Sequence, residues 1–141
     1  MLDIKPFKKE DAELICKDAV DDSLHNNEEY WQKWAAINEV AGPGFTGYYK
    51  GELVGAAGIN ITDDGVGRVW LVMKSTAAKY KFSIIKTLRL MLPILMKNFN
   101  VKSVIADSRK GFIQSQRLLE HLKFIKMDVE DDTNYFYEYG G

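Results

Sequence analysis

Residues 45–73 read FTGYYKGELVGAAGINITDDGVGRVWLVM. Two turn signals divide this stretch into three runs. Lys50-Gly51 separates Phe45–Tyr49 from Glu52–Ile61, and Thr62-Asp63-Asp64-Gly65 separates the latter from Val66–Met73. The runs are rich in β-branched, aromatic and small apolar residues, which suits pleated, half-buried strands. Connections this short join antiparallel neighbours, because a parallel crossover needs a dozen or more residues. The stretch therefore predicts a three-stranded antiparallel meander.

Upstream, Leu2–Pro6 alternates weakly and predicts a short first strand that Pro6 ends. Glu10–Val20 predicts a helix, with Glu10 and Asp11 at its positive end and Leu14, Ile15 and Ala19 as its apolar stripe. Asn26, with Glu29 three residues on, predicts a capping box for a second helix carrying Tyr30, Trp31, Trp34 and Ile37. The spacing of the two tryptophans points them at the core, with a substrate-pocket wall as the other reading. Ala41-Gly42-Pro43-Gly44 ends that helix. Downstream, Ala77–Asn98 keeps an apolar period near 3.6 through Phe82, Ile85, Leu88 (or Arg89), Leu92 and Met96. Pro93 is expected to kink or end this helix near Leu92. Val104-Ile105 reads as strand, Gln114–Leu122 as helix, and Phe124–Val129 and Tyr135–Tyr139 as strands around the turn Asp131–Asn134. The order β-α-α-β-β-β-α-β-α-β-β predicts an α/β fold, a mixed and mostly antiparallel central sheet with helices on both faces.

At 141 residues the chain is expected to be one domain, 1–141, burying roughly two-thirds of its unfolded surface. Its 46% apolar and 28% charged residues, with three Trp, seven Tyr and seven Phe, exclude a disordered chain. Cys16 is the only cysteine, so no disulfide framework forms within the chain; this suits a reducing, cytoplasmic setting. The most apolar run, Ile84–Met96, carries Lys86 and Arg89 and is too short to span a membrane. Asp3 and Lys5 interrupt the opening apolar residues, so no signal peptide is expected.

The net charge of −1 hides an uneven layout. Met1–Trp70 carries 7 basic and 13 acidic residues, net −6; Leu71–Lys126 carries 12 basic and 2 acidic, net +10; Met127–Gly141 carries 5 acidic residues and no basic one. A basic block is either a solvated face or an anion site for nucleotide phosphate or nucleic acid backbone. Composition leaves both readings open. Metal-ligand spacings, a P-loop and a serine elbow are all missing from the sequence.

The element order resembles the GNAT superfamily of acyl-CoA-dependent N-acyltransferases over nearly the whole chain. Ile4-Lys5-Pro6 followed by Glu10-Asp11-Ala12 resembles the family's first strand and helix. The hairpin Gly47–Gly55 resembles its second and third strands, and Leu118-Leu119-Glu120-His121-Leu122-Lys123-Phe124 resembles its fourth helix running into a strand. A narrower resemblance is to small acetyltransferase-like proteins of short-tailed phages. It rests on Val69-Trp70-Leu71-Val72, Lys79-Tyr80-Lys81-Phe82 and the terminal pair Gly140-Gly141.

The resemblance implies acetyl-CoA as cofactor and an amine as substrate. The backbone of Leu71, Val72 and Met73 is then expected to pair with the pantetheine arm, where the fourth and fifth strands splay. The pyrophosphate is expected on the loop that the family writes R/Q-x-x-G-x-G/A. That loop falls on Ala77-Ala78-Lys79-Tyr80-Lys81-Phe82. Backbone N–H groups at a helix start bind anions, and glycines let phosphate approach. Here Tyr80 and Phe82 stand at the glycine positions and Ala77 at the Arg/Gln position, so binding is expected to be weak through added bulk. Lys74, Lys79 and Lys81 still supply charge. The family's proton-donating tyrosine falls on Leu119, and the fourth strand offers Arg68 and no carboxylate. Glu52, Asp63, Asp64, His25 and His121 have no defensible position as a base, and Cys16 reads as a small core residue. No catalytic residue is assigned. A silent GNAT fold acting in a phage particle or on a host protein is the alternative, and nucleic acid binding through the basic block is a third reading. The amine and the oligomeric state are left open.

Overall fold

The structure, a computed structural model, describes residues 1–62 and 64–141, with only the backbone at residue 22. Asp63, one of the candidate bases and part of the second turn, lies outside the described residues. The elements are β1 (Asp3–Pro6), α1 (Lys9–Cys16), a 3₁₀ turn (Asp22–Leu24), α2 (Glu28–Val40), β2 (Gly44–Tyr49), β3 (Glu52–Ile61), β4 (Val66–Met73), a 3₁₀ turn (Ser75–Tyr80), α3 (Lys81–Asn98), β5 (Ser103–Arg109), α4 (Ile113–His121), β6 (Phe124–Glu130) and β7 (Asn134–Tyr139). The seven strands hydrogen-bond in the order β1-β2-β3-β4-β5-β7-β6. Of the described registers, β4–β5 alone is parallel. The fold is the expected mixed α/β one.

The chain clusters into two compact units that divide β3, β4 and α3: residues 1–60 with 70–84, and residues 61–69 with 85–141. In the first unit the β2–β3 hairpin closes through Lys50 at φ 48° and Gly51 at φ 85°. Two successive positive φ values form the turn whose twist matches a two-residue hairpin. The core gathers Ile15 and Cys16 of α1, Trp31 and Ala35 of α2, Ala56 of β3, and Trp70 and Val72 of β4. Phe7, Trp34 and Trp70 meet edge to face, with Trp70 4.9 Å from Phe7 and 5.1 Å from Trp34. Such pairs add about 0.5–1.5 kcal/mol beyond area burial. Asp11 serves two elements: its Oδ2 accepts the Lys8 N–H at 3.0 Å at the start of α1 and the hydroxyl of buried Thr46 at 2.7 Å.

In the second unit β4 runs parallel to β5 over Val66↔Ser103, Gly67↔Val104 and Arg68↔Ile105. The Arg68 guanidinium Nη2 donates to Asp107 Oδ1 at 2.7 Å. Leu119 and Leu122 are buried, as are Phe124 and Tyr137.

Four local expectations are corrected. α1 ends at Cys16 rather than Val20, because the backbone of residues 18–20 bonds to the end of β4: the Val20 N–H donates to Met73 O at 2.9 Å and the Ser75 N–H to Asp18 O at 2.7 Å. α2 begins after Asn27 with no side-chain cap bond, so the Asn26–Glu29 box does not form; Glu28 and Glu29 still complement its positive end. The helix expected from Ala77 begins at Lys81, preceded by the 3₁₀ turn. It also continues through Pro93 to Asn98 and does not end near Leu92. Proline removes one N–H, and buried Leu92 and Leu95 on either side hold the helix by packing.

Gly58 sets how closely β3 approaches its neighbours. A Cβ there stands 2.6 Å from the Trp70 ring and 2.6 Å from the Pro43 carbonyl oxygen. Gly58→Ala is expected to destabilise the fold by about 1–3 kcal/mol. An unchanged midpoint in urea unfolding refutes the close approach.

Candidate functional site

β4 carries the backbone into the segment that the sequence singles out. Val72 is buried against the core of the first unit, whereas Leu71 and Met73 are half-buried. Lys74 is extended at φ −68° and ψ 154°, and its N–H donates to Val54 O at 2.9 Å. Alternation along a strand then turns the Met73 carbonyl to the side of β4 away from β3. That carbonyl accepts the Val20 N–H, and Ala19 bridges Lys74 antiparallel. The chain thus places its own segment 18–20 along the last residues of β4.

The next donors belong to the 3₁₀ turn. The Ser75 N–H donates to Asp18 O at 2.7 Å, and the Ser75 hydroxyl donates to Asp18 Oδ1 at 2.9 Å. The Ala77 N–H returns to Lys74 O at 3.0 Å, and Ala77 is buried. A carboxylate and a carbonyl of Asp18 therefore stand at the opening of the turn, where an anion is expected to meet N–H groups. Lys74 is half-buried, and Lys79 and Lys81 are exposed.

Tyr80 and Phe82 do not share one environment. Tyr80 stacks on Tyr49 with ring centroids 4.3 Å apart and planes 23° apart, and its hydroxyl donates to Glu52 Oε2. That hydrogen bond stabilises the neutral phenol and raises its pKa above the ordinary value near 10; burial raises it further, as does the charge of Glu52. Phe82 is 83% exposed, with the Lys81 Nζ 5.6 Å from its ring centroid. The expected bulk at the loop mouth is corrected accordingly: one ring is tied back to the β2–β3 hairpin and the other stands in solvent in the first turn of α3. Asp18, not either ring, is the residue bonded to the start of the turn.

The remaining candidates are placed as follows. Leu119 is buried on α4. His121 is exposed, and its carbonyl accepts Arg89 Nε–H at 2.9 Å. His25 Nε2 lies 2.8 Å from Ala19 O and carries the proton there. Asp64 Oδ1 accepts from the Thr62 hydroxyl and from the Val66 N–H, which hold its carboxyl below the usual range. Glu52 holds Tyr80. Asp18, Ser75 and the Tyr80–Glu52 bond are what sequence reasoning missed. The polar residues there fit no local motif, and their partners lie 57 and 28 positions away. Among the described residues, no three His, Cys, Asp or Glu gather as a metal site, and no helix is long and apolar enough to cross a membrane.

Cys16 is fully buried, and burial, with the charge of Asp21 second, pushes its thiol up to about 11. About one thiol in a thousand is then ionised at pH 8. A thiol reagent at pH 8 is expected to label Cys16 only as fast as the protein unfolds, and labelling at the rate of a free thiol overturns its placement. Because the folded pKa is raised, the fold keeps its full stability below the ordinary value of 9.0 and loses some as pH climbs toward 11.

No protein-family model and no curated protein sequence matches the chain. Solved structures do. An IAA acetyltransferase from Bacillus cereus superposes with a TM-score of 0.72 at 11% identity, covering 99% of this chain and 99% of that one. The N-acetyltransferase PseH of Campylobacter jejuni gives 0.68 at 16% identity over 97% and 96% of the two chains. AAC(6')-Ib, solved with ribostamycin and coenzyme A, gives 0.72 at 12% identity over 98% and 92%. From β1 to β7 this chain has the fold of the GNAT N-acetyltransferases.

Proposed function

We propose that this chain is an acetyl-CoA-binding, N-acetyltransferase-like protein with an atypical phosphate-binding segment, working as one domain over residues 1–141 in the cytoplasm. The observation that carries the reading is the junction at Met73–Lys81: an extended strand end runs directly into helical N–H donors flanked by Lys74, Lys79 and Lys81. Helix starts favour anions, and lysines add charge without the geometry of a glycine nest. Leu71 to Met73 would hold the pantetheine arm by backbone pairing. Lys74, Ala77, Lys79, Tyr80, Lys81 and Phe82 would surround the phosphates. Bound acetyl-CoA supplies an activated thioester, and an amine, of the polyamine or aminoglycoside kind that the structural neighbours take, is the acceptor class to try first. The residues fit the cofactor in charge and in backbone supply. They fit it imperfectly at Met73 and Ser75, whose groups are engaged by Val20 and Asp18.

That engagement favours a second reading: a catalytically silent GNAT fold that serves a phage particle or binds a host protein. The buried leucine at position 119, where a proton donor is expected, favours it too.

Calorimetric titration with acetyl-CoA and with CoA separates the two. On the first reading the wild type binds weakly. Asp18→Ala removes a carboxylate from the start of the turn and tightens CoA binding several-fold to about tenfold, where each factor of ten is ~1.4 kcal/mol. The pair Lys79→Glu and Lys81→Glu weakens it by at least as much. Absence of binding in both the wild type and Asp18→Ala sinks the cofactor reading and leaves the silent one. Release of free CoA thiol with a panel of amines then tests transfer itself.

A further inference from the structure

In the second unit α3 buries one side and leaves the other uncovered. Ile85, Leu92 and Leu95 are buried. Lys86, Arg89, Leu90, Pro93, Ile94 and Lys97 are exposed, and Leu90 and Ile94 keep 49% and 45% of their surface in solvent. Spacings of three and four set these six on one face in two rows. One row is Lys86, Leu90, Ile94 and Lys97, and the other is Lys86, Arg89, Pro93 and Lys97. Both begin and end on the same two lysines, about 16 Å apart along the axis, so a cation closes each end of an apolar patch. Residues 85–102 carry four basic residues and no acidic one. The Arg89 Nε–H donates to an uncharged acceptor, the His121 carbonyl. Among the described residues no carboxylate pairs with Lys86, Arg89 or Lys97. The C-terminal end of the face opens on a cleft of about 460 Å³. Pro93, Met96, Val101 and Tyr139 give it an apolar wall, and Lys97 and Asn100 add polar groups. Lys123 reaches the same place: its Cδ lies 2.9 Å from where a Cβ of Gly141, which also lines the cleft, would stand.

We propose that this face of α3 docks on an anionic lipid membrane, at the interface and not across it. Charge complementarity selects an anionic partner, and the apolar groups set among the charges select which one. A nucleic acid satisfies the lysines but leaves Leu90 and Ile94 wet. Its bases stack on open aromatic faces, whereas Tyr139, the one aromatic residue lining the cleft, packs against Phe124 at 5.4 Å. An acidic polypeptide carries charge and hydrocarbon on separate residues. A phospholipid carries its phosphate close to its acyl chains, as Lys97 here adjoins Pro93 and Ile94. Lysine stems lie along apolar surface while their ammonium groups stay at the level of the headgroups. Binding of this kind adds buried apolar area to attraction for anionic lipid. None of these residues belongs to segment 71–82, so the proposal stands apart from the cofactor reading.

The test is sedimentation of the full chain with vesicles of phosphatidylcholine alone and of phosphatidylcholine mixed equally with phosphatidylglycerol. The chain is expected to sediment with the mixed vesicles and not with the neutral ones, and raised salt is expected to release it. Lys86→Glu with Lys97→Glu is expected to weaken binding about tenfold or more. Leu90→Gln with Ile94→Gln leaves the charge unchanged and is expected to weaken binding several-fold. Lys17→Glu with Lys33→Glu makes the same change in net charge on exposed positions of the first unit, and is expected to alter binding by less than about twofold. Circular dichroism confirms that each variant is folded. Absence of binding to the mixed vesicles overturns the proposal. So does a Lys17–Lys33 variant as weak as the Lys86–Lys97 one, or binding that the Leu90–Ile94 variant leaves unchanged. Tighter binding to polyglutamate or to single-stranded DNA than to the mixed vesicles overturns it in favour of an acidic protein or a nucleic acid.

Discussion

Trp70 needs space that β3 leaves only by lacking side chains. The indole lies against Phe7 and Trp34, and the place a Cβ of Gly58 would take is 2.6 Å from its ring. Gly44 makes room in the same way, its Cβ position standing 2.9 Å from Trp70 Cζ2. Around this ring the first unit brings α1, α2, β3 and β4 into one core. Dense interiors transmit such constraints, because a displaced large ring has no nearby void to enter. The position of Trp70 in turn sets the course of β4, and the last three residues of β4 lead into the candidate site.

At that site one backbone is asked to serve two partners. The end of β4 and the start of the 3₁₀ turn are where we propose that the cofactor binds. Here Val20 and Asp18 already bond to Met73 and Ser75. Every such bond replaces one to water, so its net worth is modest, about 0.5–1.5 kcal/mol. Tyr80 is held by Glu52 and Tyr49, away from the same groups, so a residue that reads as an obstruction in the sequence has been given other contacts.

The basic block shows how far a linear charge count carries. Within the second unit Arg68 pairs with Asp107, and Lys110 pairs with Glu130 at 2.5 Å and lies near the Tyr135 ring, to which Lys126 also draws close. Partnership with Glu130 raises the Lys110 pKa, and partnership with Lys110 lowers that of Glu130. Of these two pairs only Lys110–Glu130 compensates charge between Leu71 and Lys126 with the acidic segment that follows it; the Arg68 pair instead engages Asp107, one of the block's two acids. Lys79 and Lys81 are exposed, and Lys81 lies over the Phe82 ring.

Local chemistry determined the strands, their turns and most of the helical segments. Lys50-Gly51 closes its hairpin because two positive φ values are needed there, and the alternation of Val66–Met73 or Tyr135–Tyr139 depends on neighbours two residues apart. That Ala77–Phe82 holds no glycine and that position 119 is a leucine were equally legible, being matters of residue identity. Helix ends were not. α1 stops at Cys16 because residues 18–20 bond to residues 73–75, and α3 survives Pro93 because Leu92 and Leu95 are buried. The orientation of Tyr80 and the role of Asp18 also came only with the tertiary structure. Each rests on a hydrogen bond between residues far apart in the chain, and the free energy of such a bond depends on a juxtaposition that no local pattern encodes.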